Sequence, residues 1–450
     1  MRRRQFLTHP PLRSGGLTVA GPSRTLTGFL VDDAGPTLAA RPLGALTSSG
    51  RGERLALRRG GPTMCRVTAP GTRRRPAADA CPGVSRPFAA ADGAIVRVRP
   101  AAQPVPVAAL ASLLDIVAAQ ADPALQLTSR AALQLRGLPD PVPLQVRRAI
   151  TATGLVPSAD HELVRNVVAS PLSGLDGLGR YDVRPLVRTL DAALCADSGL
   201  ARLPGRFLFV VDDGRGDVVR ESFDVGLFAL DARRAAVLVG SPDRGFVVDL
   251  DGAVTAMIGV ARAFLAARAA VAPRAWHVRE LVDHLEASPI DLAAPPTPPR
   301  PVGAVGDHAV VVVPLGLLTR QHVDALSQLA DEVVTTPWRS LVVPDAATGL
   351  GRLEEAGLVV EPGSPWLRLH ACTGAPGCAR TDTDTRSLAR AIAPTLPPGT
   401  LPVHVSGCER RCGTPTSGFV DVFAPHSLAD AVATVTAAGS TSTSHPSEAR

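Results

Sequence analysis

The chain repeats itself, and that constrains its fold more than any single motif does. In the first copy Val96-Arg97-Val98-Arg99-Pro100 reads as a strand, followed by an apolar-periodic helix from Val107 to Ala119. The strand-like Leu125-Gln126-Leu127-Thr128-Ser129-Arg130, a helix near Leu144 to Ala152 and Gly154-Leu155-Val156 complete it. In the second copy Val310-Val311-Val312-Val313-Pro314 precedes a helix from Arg320 to Ala330, then Val333-Val334-Thr335-Thr336-Pro337-Trp338-Arg339. A short helix at Leu350 to Glu355 and Gly357-Leu358-Val359 close it. Both copies run β-α-β-α, an order that argues an α+β duplication with mixed sheets. Each then enters a loop rich in Gly, Pro and Ser, at Arg165 to Gly174 and at His370 to Cys378. A stiff proline linker, Asp291 to Pro301, separates the halves, and interfaces between such halves are where cofactor sites tend to lie.

The length of 450 residues exceeds one ordinary hydrophobic core, and an apolar content of 45% can fill several. The net charge of +6 points toward nucleic acid only if it sits on the folded part. Residues 1–75 carry 14 Arg against Asp32, Asp33 and Glu53, which leaves 33 Arg against 38 acids elsewhere. The folded part is therefore net acidic, and no nucleic-acid partner is expected. There is no Lys, so every fixed cation is a guanidinium, suited to bidentate carboxylate binding; codon bias of a GC-rich genome is the plain explanation. No run of eighteen uncharged apolar residues occurs, so no membrane span is expected. Arg2-Arg3-Arg4-Gln5-Phe6-Leu7 begins like a twin-Arg export signal, but Pro10, Pro11, Arg13, Gly15 and Gly16 interrupt any apolar segment. The stretch to about residue 75 reads as disordered or as an upstream start ahead of Met64, and a cytoplasmic location is expected.

Seven cysteines suit a reducing compartment, and four of them fall in one constellation, Cys372-x5-Cys378 and Cys408-x3-Cys412. Gly374, Gly377, Gly407 and Gly413 surround them. Thiolates favour iron-sulfur clusters, zinc or Cu(I), and backbone N–H groups of Gly-containing loops can reach cluster sulfides. Zinc loops usually space their ligands by two to four residues, so x5 fits poorly and x3 fits. Cluster, zinc and an incidental or disulfide pairing all stay open on spacing alone. Cys65, Cys81 and Cys195 have no partner spacing.

These cysteine pairs, the duplicated halves, Thr128-Ser129-Arg130-Ala131-Ala132-Leu133-Gln134, Arg165-Asn166-Val167-Val168-Ala169-Ser170-Pro171 and Leu203-Pro204-Gly205-Arg206-Phe207 together resemble the sulfite and nitrite reductase superfamily. Within it, Cys81-Pro82-Gly83-Val84-Ser85-Arg86-Pro87, Thr336-Pro337-Trp338-Arg339 and Cys372-Thr373-Gly374-Ala375-Pro376-Gly377-Cys378 look most like the precorrin-3B synthase family, over about residues 80 to 425. The resemblance implies ferredoxin-like half-domains at 79–158 and 304–365. They would be followed by a reductase-like α/β domain at 159–288 and a cluster-binding α/β domain at 366–435, with a linker at 289–303 and disordered tails at 1–78 and 436–450. It implies a 4Fe-4S cluster on Cys372, Cys378, Cys408 and Cys412, a further non-haem iron, and precorrin-3A and dioxygen as substrates of a monooxygenase that hydroxylates a ring carbon and closes a γ-lactone in cobalamin synthesis. Reducing equivalents would come from NAD(P)H. Gly214-Arg215-Gly216 lacks the Gly-rich phosphate fingerprint, so a separate reductase is expected to deliver them.

The alternative is a sirohaem sulfite or nitrite reductase, whose anion is gripped by cationic side chains. The resemblance places Arg130, Arg165 and Arg206 at three of those positions and Leu208 at the fourth, where a charge is lost; one charge-assisted hydrogen bond is worth about 1.5–3 kcal/mol. A polycarboxylate substrate would instead use Arg130, Gln134, Arg165 and Arg206, although a lone Arg is more often a solvated charge. Arg339 aligns with the Arg130 region, offset by two positions. A mononuclear iron needs two His and a carboxylate, and His370 and His404 are the best placed histidines, against the plainer reading of packed strand-end residues. The residues that would carry catalysis are not marked by any motif. A zinc- or cluster-stabilised binding protein is the non-enzyme alternative.

Overall fold

The computed structural model describes residues 79–120, 123–220, 222–292, 298–415 and 418–441. The leader, Met64 and Cys65 lie outside the described residues. The first part runs β1 (Phe88–Ala90), β2 (Gly93–Val98), β3 (Val105–Pro106), α1 (Val107–Val117), β4 (Leu125–Leu127), β5 (Leu133–Leu138) and α2 (Leu144–Ala152). There follow β6 (Val167–Ala169), α3 (Arg184–Ala196), β7 (Phe209–Asp212), β8 (Val225–Ala229), β9 (Arg234–Val239), β10 (Arg244–Asp249), α4 (Leu250–Val271) and β11 (Ser288–Pro289). The later part has β12 (Gly303–Val305), β13 (His308–Val312), β14 (Leu317–Leu318), α5 (Arg320–Leu326), β15 (Glu332–Thr335), β16 (Ser340–Val343) and α6 (Leu350–Glu355). It ends on β17 (Leu369–Ala371), α7 (Thr385–Ile392), β18 (Val403–Ser406), β19 (Val420–Phe423) and α8 (Leu428–Thr441).

Alternation in the strands decides what each sheet face does. Val96 and Val98 of β2 and Leu133 and Leu135 of β5 point into a core shared with Val311, Leu341 and Val343, where Leu110, Leu113, Leu114 and Val117 of α1 join them at helical spacing. Arg97, Gln126, Gln134 and Arg136, at the intervening positions, take the opposite face and leave it polar.

Two five-stranded sheets have matching orders, β1-β2-β5-β4-β14 and β12-β13-β16-β15-β3. Each ends on a two-residue strand lent by the other: Leu317 and Leu318 pair with Gln126 and Leu125, while Val105 and Pro106 pair with Val333 and Glu332. The sequence reads β-α-β-α, but each part is β-α-β-β-α, because both apparent strands turn back midway. The Thr128 hydroxyl accepts the N–H of Arg130 and of Ala132, and the Thr336 hydroxyl accepts those of Trp338 and Ser340. Ala131 and Arg339 hold the matching left-handed position, φ 54° and 60°. Arg130 therefore corresponds to Trp338, and Arg339 to Ala131: the offset is one position, not two.

A six-stranded sheet, β11-β10-β9-β8-β7-β6, is parallel through β6, β7 and β8. Phe207, Phe209, Leu190 and Phe264 fill the core under α3 and α4. By length and hydropathy α4 matches a membrane span, as core helices of this length do; Ala253, Met257, Ala261 and Phe264 are buried in this core. The last sheet, β17-β18-β19, is wholly parallel, and Leu369, Val403, Val405 and Val422 pack on the side of α7 and α8. Helix α8 continues through residues 436–441, where the sequence suggests a tail; 442–450 lie outside the described residues.

Candidate functional site

Loops leaving the carboxyl ends of adjacent parallel strands share one edge of a sheet, the usual place for a ligand in such architectures. Ala371 pairs with Val405, so the Cys372 loop leaves β17 beside the Cys408 loop that leaves β18, and the Cys372 N–H donates to the Val405 carbonyl at 3.0 Å. All four cysteines carry free thiols; Cys412 is exposed and the others are half-buried. Burial pushes the Cys412 thiol pKa up, and neighbouring Cys372, Cys408 and Cys378 push it further, which places the four sulfurs in one another's field. The loops close tightly. A Cβ on Gly374 would meet Thr385, and one on Gly407 would meet Thr381, at 2.4 Å in each case. Four converging thiols in Gly-lined loops fit a cluster by donor type, although among the described residues no three His, Cys, Asp or Glu side chains are drawn in to ligating distance.

The polar face of the first sheet receives this edge. Arg136 forms a bidentate pair with Asp92 at 2.8 and 2.9 Å and donates to the Gly377 carbonyl at 2.7 Å, docking the cysteine loop on β5. Across β2, β5 and β4, Arg97 donates to Gln134 Oε1 at 2.8 Å and Gln134 Nε2 donates to Gln126 Oε1 at 2.9 Å. Arg130 reaches the Arg206 carbonyl at 2.8 Å, and the Arg206 guanidinium lies 5.0 Å over the Trp276 ring. Burial lowers the pKa of Arg97 and of Arg130; Arg206 depresses both further, and Arg130 also depresses Arg97. Among the described residues, none partners the buried Nε of Arg97. Three crowded guanidiniums with spare donor capacity make an anion-seeking surface.

Arg165 is elsewhere. Only 4% exposed, it grips Asp191 through Nε and Nη2 at 2.7 Å each and donates Nη1 to the carbonyls of Arg99 and Leu155 at 3.0 Å. Its donors are committed to the framework. Arg99 plays a similar part for the Cys81 segment, donating to Asn166 and to the carbonyls of Pro82 and Glu162, while the Glu162 carboxylate accepts from Val84 and Ser85. Leu208 is buried in an apolar cluster with Val168, Val210 and Phe223. Gly214-Arg215-Gly216 caps the buried Asp212, whose carboxylate accepts four backbone N–H groups, and Arg215 pairs with Asp176 and Asp213.

Arg339 donates to Nδ1 of His370 at 3.1 Å. Both line a cavity of about 210 Å³ that runs from Ser129 to Gly413 past Arg300 and Trp338. His370 stands in register with His404, and His404 with Asp421. Burial brings the pKa of each histidine down to about 4.

No protein-family model matches the chain. Over 375 residues it is 27% identical to a precorrin-3B synthase of Sinorhizobium sp., covering 75% of this chain and 78% of that one. Over 370 residues it is 26% identical to a ferredoxin–nitrite reductase of Synechococcus elongatus, covering 68% and 71%. The solved structure of the Mycobacterium tuberculosis NirA protein superposes with a TM-score of 0.54 at 20% identity, over 70% of this chain and 68% of that one. Both relatives are matched over about two thirds or more of either chain, and the likeness to the NirA protein is one of fold. Of the cationic positions that the superfamily resemblance assigns, the structure brings Arg130 and Arg206 together and turns Arg165 inward. Arg97, Arg136, Asp92, Trp276 and Asp421 were not singled out from sequence. Arg97 and Asp421 were detectable as polar residues alternating with Val in strands, Arg136 only once β5 is known.

Proposed function

We propose that this chain hydroxylates a carboxylated tetrapyrrole with dioxygen and closes a γ-lactone on it, converting precorrin-3A to precorrin-3B in cobalamin synthesis. The observation that carries the reading is Leu208. A sulfite or nitrite cage needs a cation there, and the position is apolar core instead. The precorrin-3B synthase relative, matched over three quarters of both chains, supports the same reading. We take the matching sheet orders and exchanged strands as two copies of one half-domain.

Under this proposal Cys372, Cys378, Cys408 and Cys412 hold a 4Fe-4S cluster, which supplies single electrons when bound. Arg97, Arg130 and Arg206 bind substrate carboxylates, and the Arg97, Gln134, Gln126 row fixes the direction of the Arg97 fork. Arg165 positions rather than binds: through Asp191 and the Arg99 carbonyl it holds the segment from which Arg97 and Arg99 project. One oxygen atom enters the product and the other leaves as water, taking two electrons and two protons. A separate NAD(P)H-dependent reductase is the proposed electron source.

The sirohaem reductase remains the competing reading because the nitrite reductase relative matches at nearly equal identity. An absorption spectrum and metal assay of anaerobically purified protein separate the two. A broad shoulder that bleaches on reduction, with iron and without haem bands, is expected. Sirohaem bands overturn the proposal, and zinc in place of iron leaves only a binding protein.

A further inference from the structure

Parallel strands β6 and β7 also end side by side, and the loops that leave them meet the second sheet rather than the first. Val310 and Val342, paired across β13 and β16, pack against Leu172 of the β6 loop. Beside this contact lies a cavity of about 730 Å³, larger than the one next to Arg339 and of the size that takes a drug-sized molecule. The Trp338 ring lines both cavities, with the Arg300 guanidinium 5.4 Å from its centre.

The wall on the sheet side is apolar in effect, because its polar groups bond one another. The Thr336 and Ser340 hydroxyls are 2.6 Å apart, and the Thr336 hydroxyl accepts the N–H of Trp338 and of Ser340. On the loop side Arg215 spends its donors on Asp176 and Asp213. Asp217 accepts from the Ser170 hydroxyl at 2.6 Å, and burial, then the Asp212 charge, pushes its pKa up to about 7. Among the described lining residues Arg215, Arg220 and Arg300 outnumber Asp176 and Asp217, so the cavity is cationic, the more so when Asp217 holds its proton. Arg220 and Arg300 are exposed, which puts that excess on the solvent side.

We infer that this cavity binds a flat, largely apolar carboxylic acid, its rings against Val310, Val342 and Trp338 and its carboxylate toward Arg220 and Arg300. Burying flat apolar surface there supplies the affinity, and the guanidiniums fix the orientation. A polycarboxylate such as precorrin-3A is a poor fit, because most of its charges would lose water against aliphatic side chains. The site is separate from the proposed substrate surface, since none of Arg97, Arg130 and Arg206 lines it, and it does not depend on the function proposed above.

The test is equilibrium dialysis of the full chain, purified anaerobically with its bound iron, against 1-pyrenebutyrate, a flat aromatic monocarboxylate. One molecule per chain should bind saturably. The double variant Arg220→Gln with Arg300→Gln should weaken it about tenfold, the equivalent of a lost charge-assisted contact. The matching alcohol, 1-pyrenebutanol, should bind the wild type about tenfold more weakly than the acid does and should not distinguish the double variant. Val305→Trp, which fills the cavity, should abolish binding of both while the melting transition stays, and Arg97→Gln should leave the affinity for the acid within about twofold. Absence of saturable binding overturns the site. Affinity unchanged in both cavity variants marks an adventitious additive only, and a tenfold loss in Arg97→Gln would place the probe on the substrate surface; either result overturns it too.

Discussion

Replacing Arg165 by Met separates a structural cation from a substrate ligand. The guanidinium is 4% exposed and its partner Asp191 is 14% exposed, so the pair lies in a poorly solvated place where removal of one member leaves the other charge unmatched. Breaking such a pair costs about 3–5 kcal/mol, and the two orphaned carbonyls, Arg99 and Leu155, keep the figure at the upper end. Arg165→Lys should lose about half of that, since an ammonium cannot span both carboxylate oxygens and both carbonyls. Equilibrium denaturation of cluster-loaded protein reads the loss. In the double variant Arg165→Met with Asp191→Leu, most of the stability returns, because no charge is left unpaired. Substrate affinity of the folded double variant stays within a few fold of wild type. A stability change below about 1 kcal/mol, coupled with a loss of substrate binding of a hundredfold or more, would instead make Arg165 a substrate ligand.

Four other outcomes follow from the same geometry. Cys408→Ser loses the cluster, whereas Cys195→Ser keeps it, as judged by iron content and visible absorbance. Arg97→Gln and Arg130→Gln each weaken binding of a tetracarboxylate tetrapyrrole by about ten- to a hundredfold, the equivalent of one charge-assisted hydrogen bond, in a fluorescence titration. Leu208→Lys lowers stability by more than about 1 kcal/mol without creating sulfite or nitrite reduction, because the new ammonium meets Val168, Val210 and Phe223. Asp217, pushed up to about 7 by burial and then by Asp212, binds a proton in the folded state that the unfolded chain has released above pH 4. It therefore costs stability as pH rises from about 4 to 7, and Asp217→Asn should flatten that part of the stability curve. An unchanged slope in the variant would contradict the assignment.

Strong periodicity made some elements legible. Helices α1, α2 and α6 stand where apolar spacing places them, and α6 covers the same residues, Leu350–Glu355. Strands β5 and β16 were hidden because a threonine hydroxyl, not a Gly or Pro pair, closes the turn before each. The exchanged strands β3 and β14 are two residues long, too short for any period to show. At the site, the cysteine loops declared themselves by spacing, and Arg130 and Arg206 by their motifs. The fate of Arg165 was invisible: its partner Asp191 lies 26 residues away on α3, and nothing local marks the pair. Gln134 came out as a link in a hydrogen-bonded row, a role that depends on the register of three strands.

Oxygenation of a tetrapyrrole at this site can be read directly from the product. Cluster-loaded protein given precorrin-3A, a reducing system and isotopically labelled dioxygen should yield a product carrying one labelled oxygen atom by mass spectrometry. Unaltered precorrin-3A, together with reduction of sulfite or nitrite by the same preparation, would contradict it.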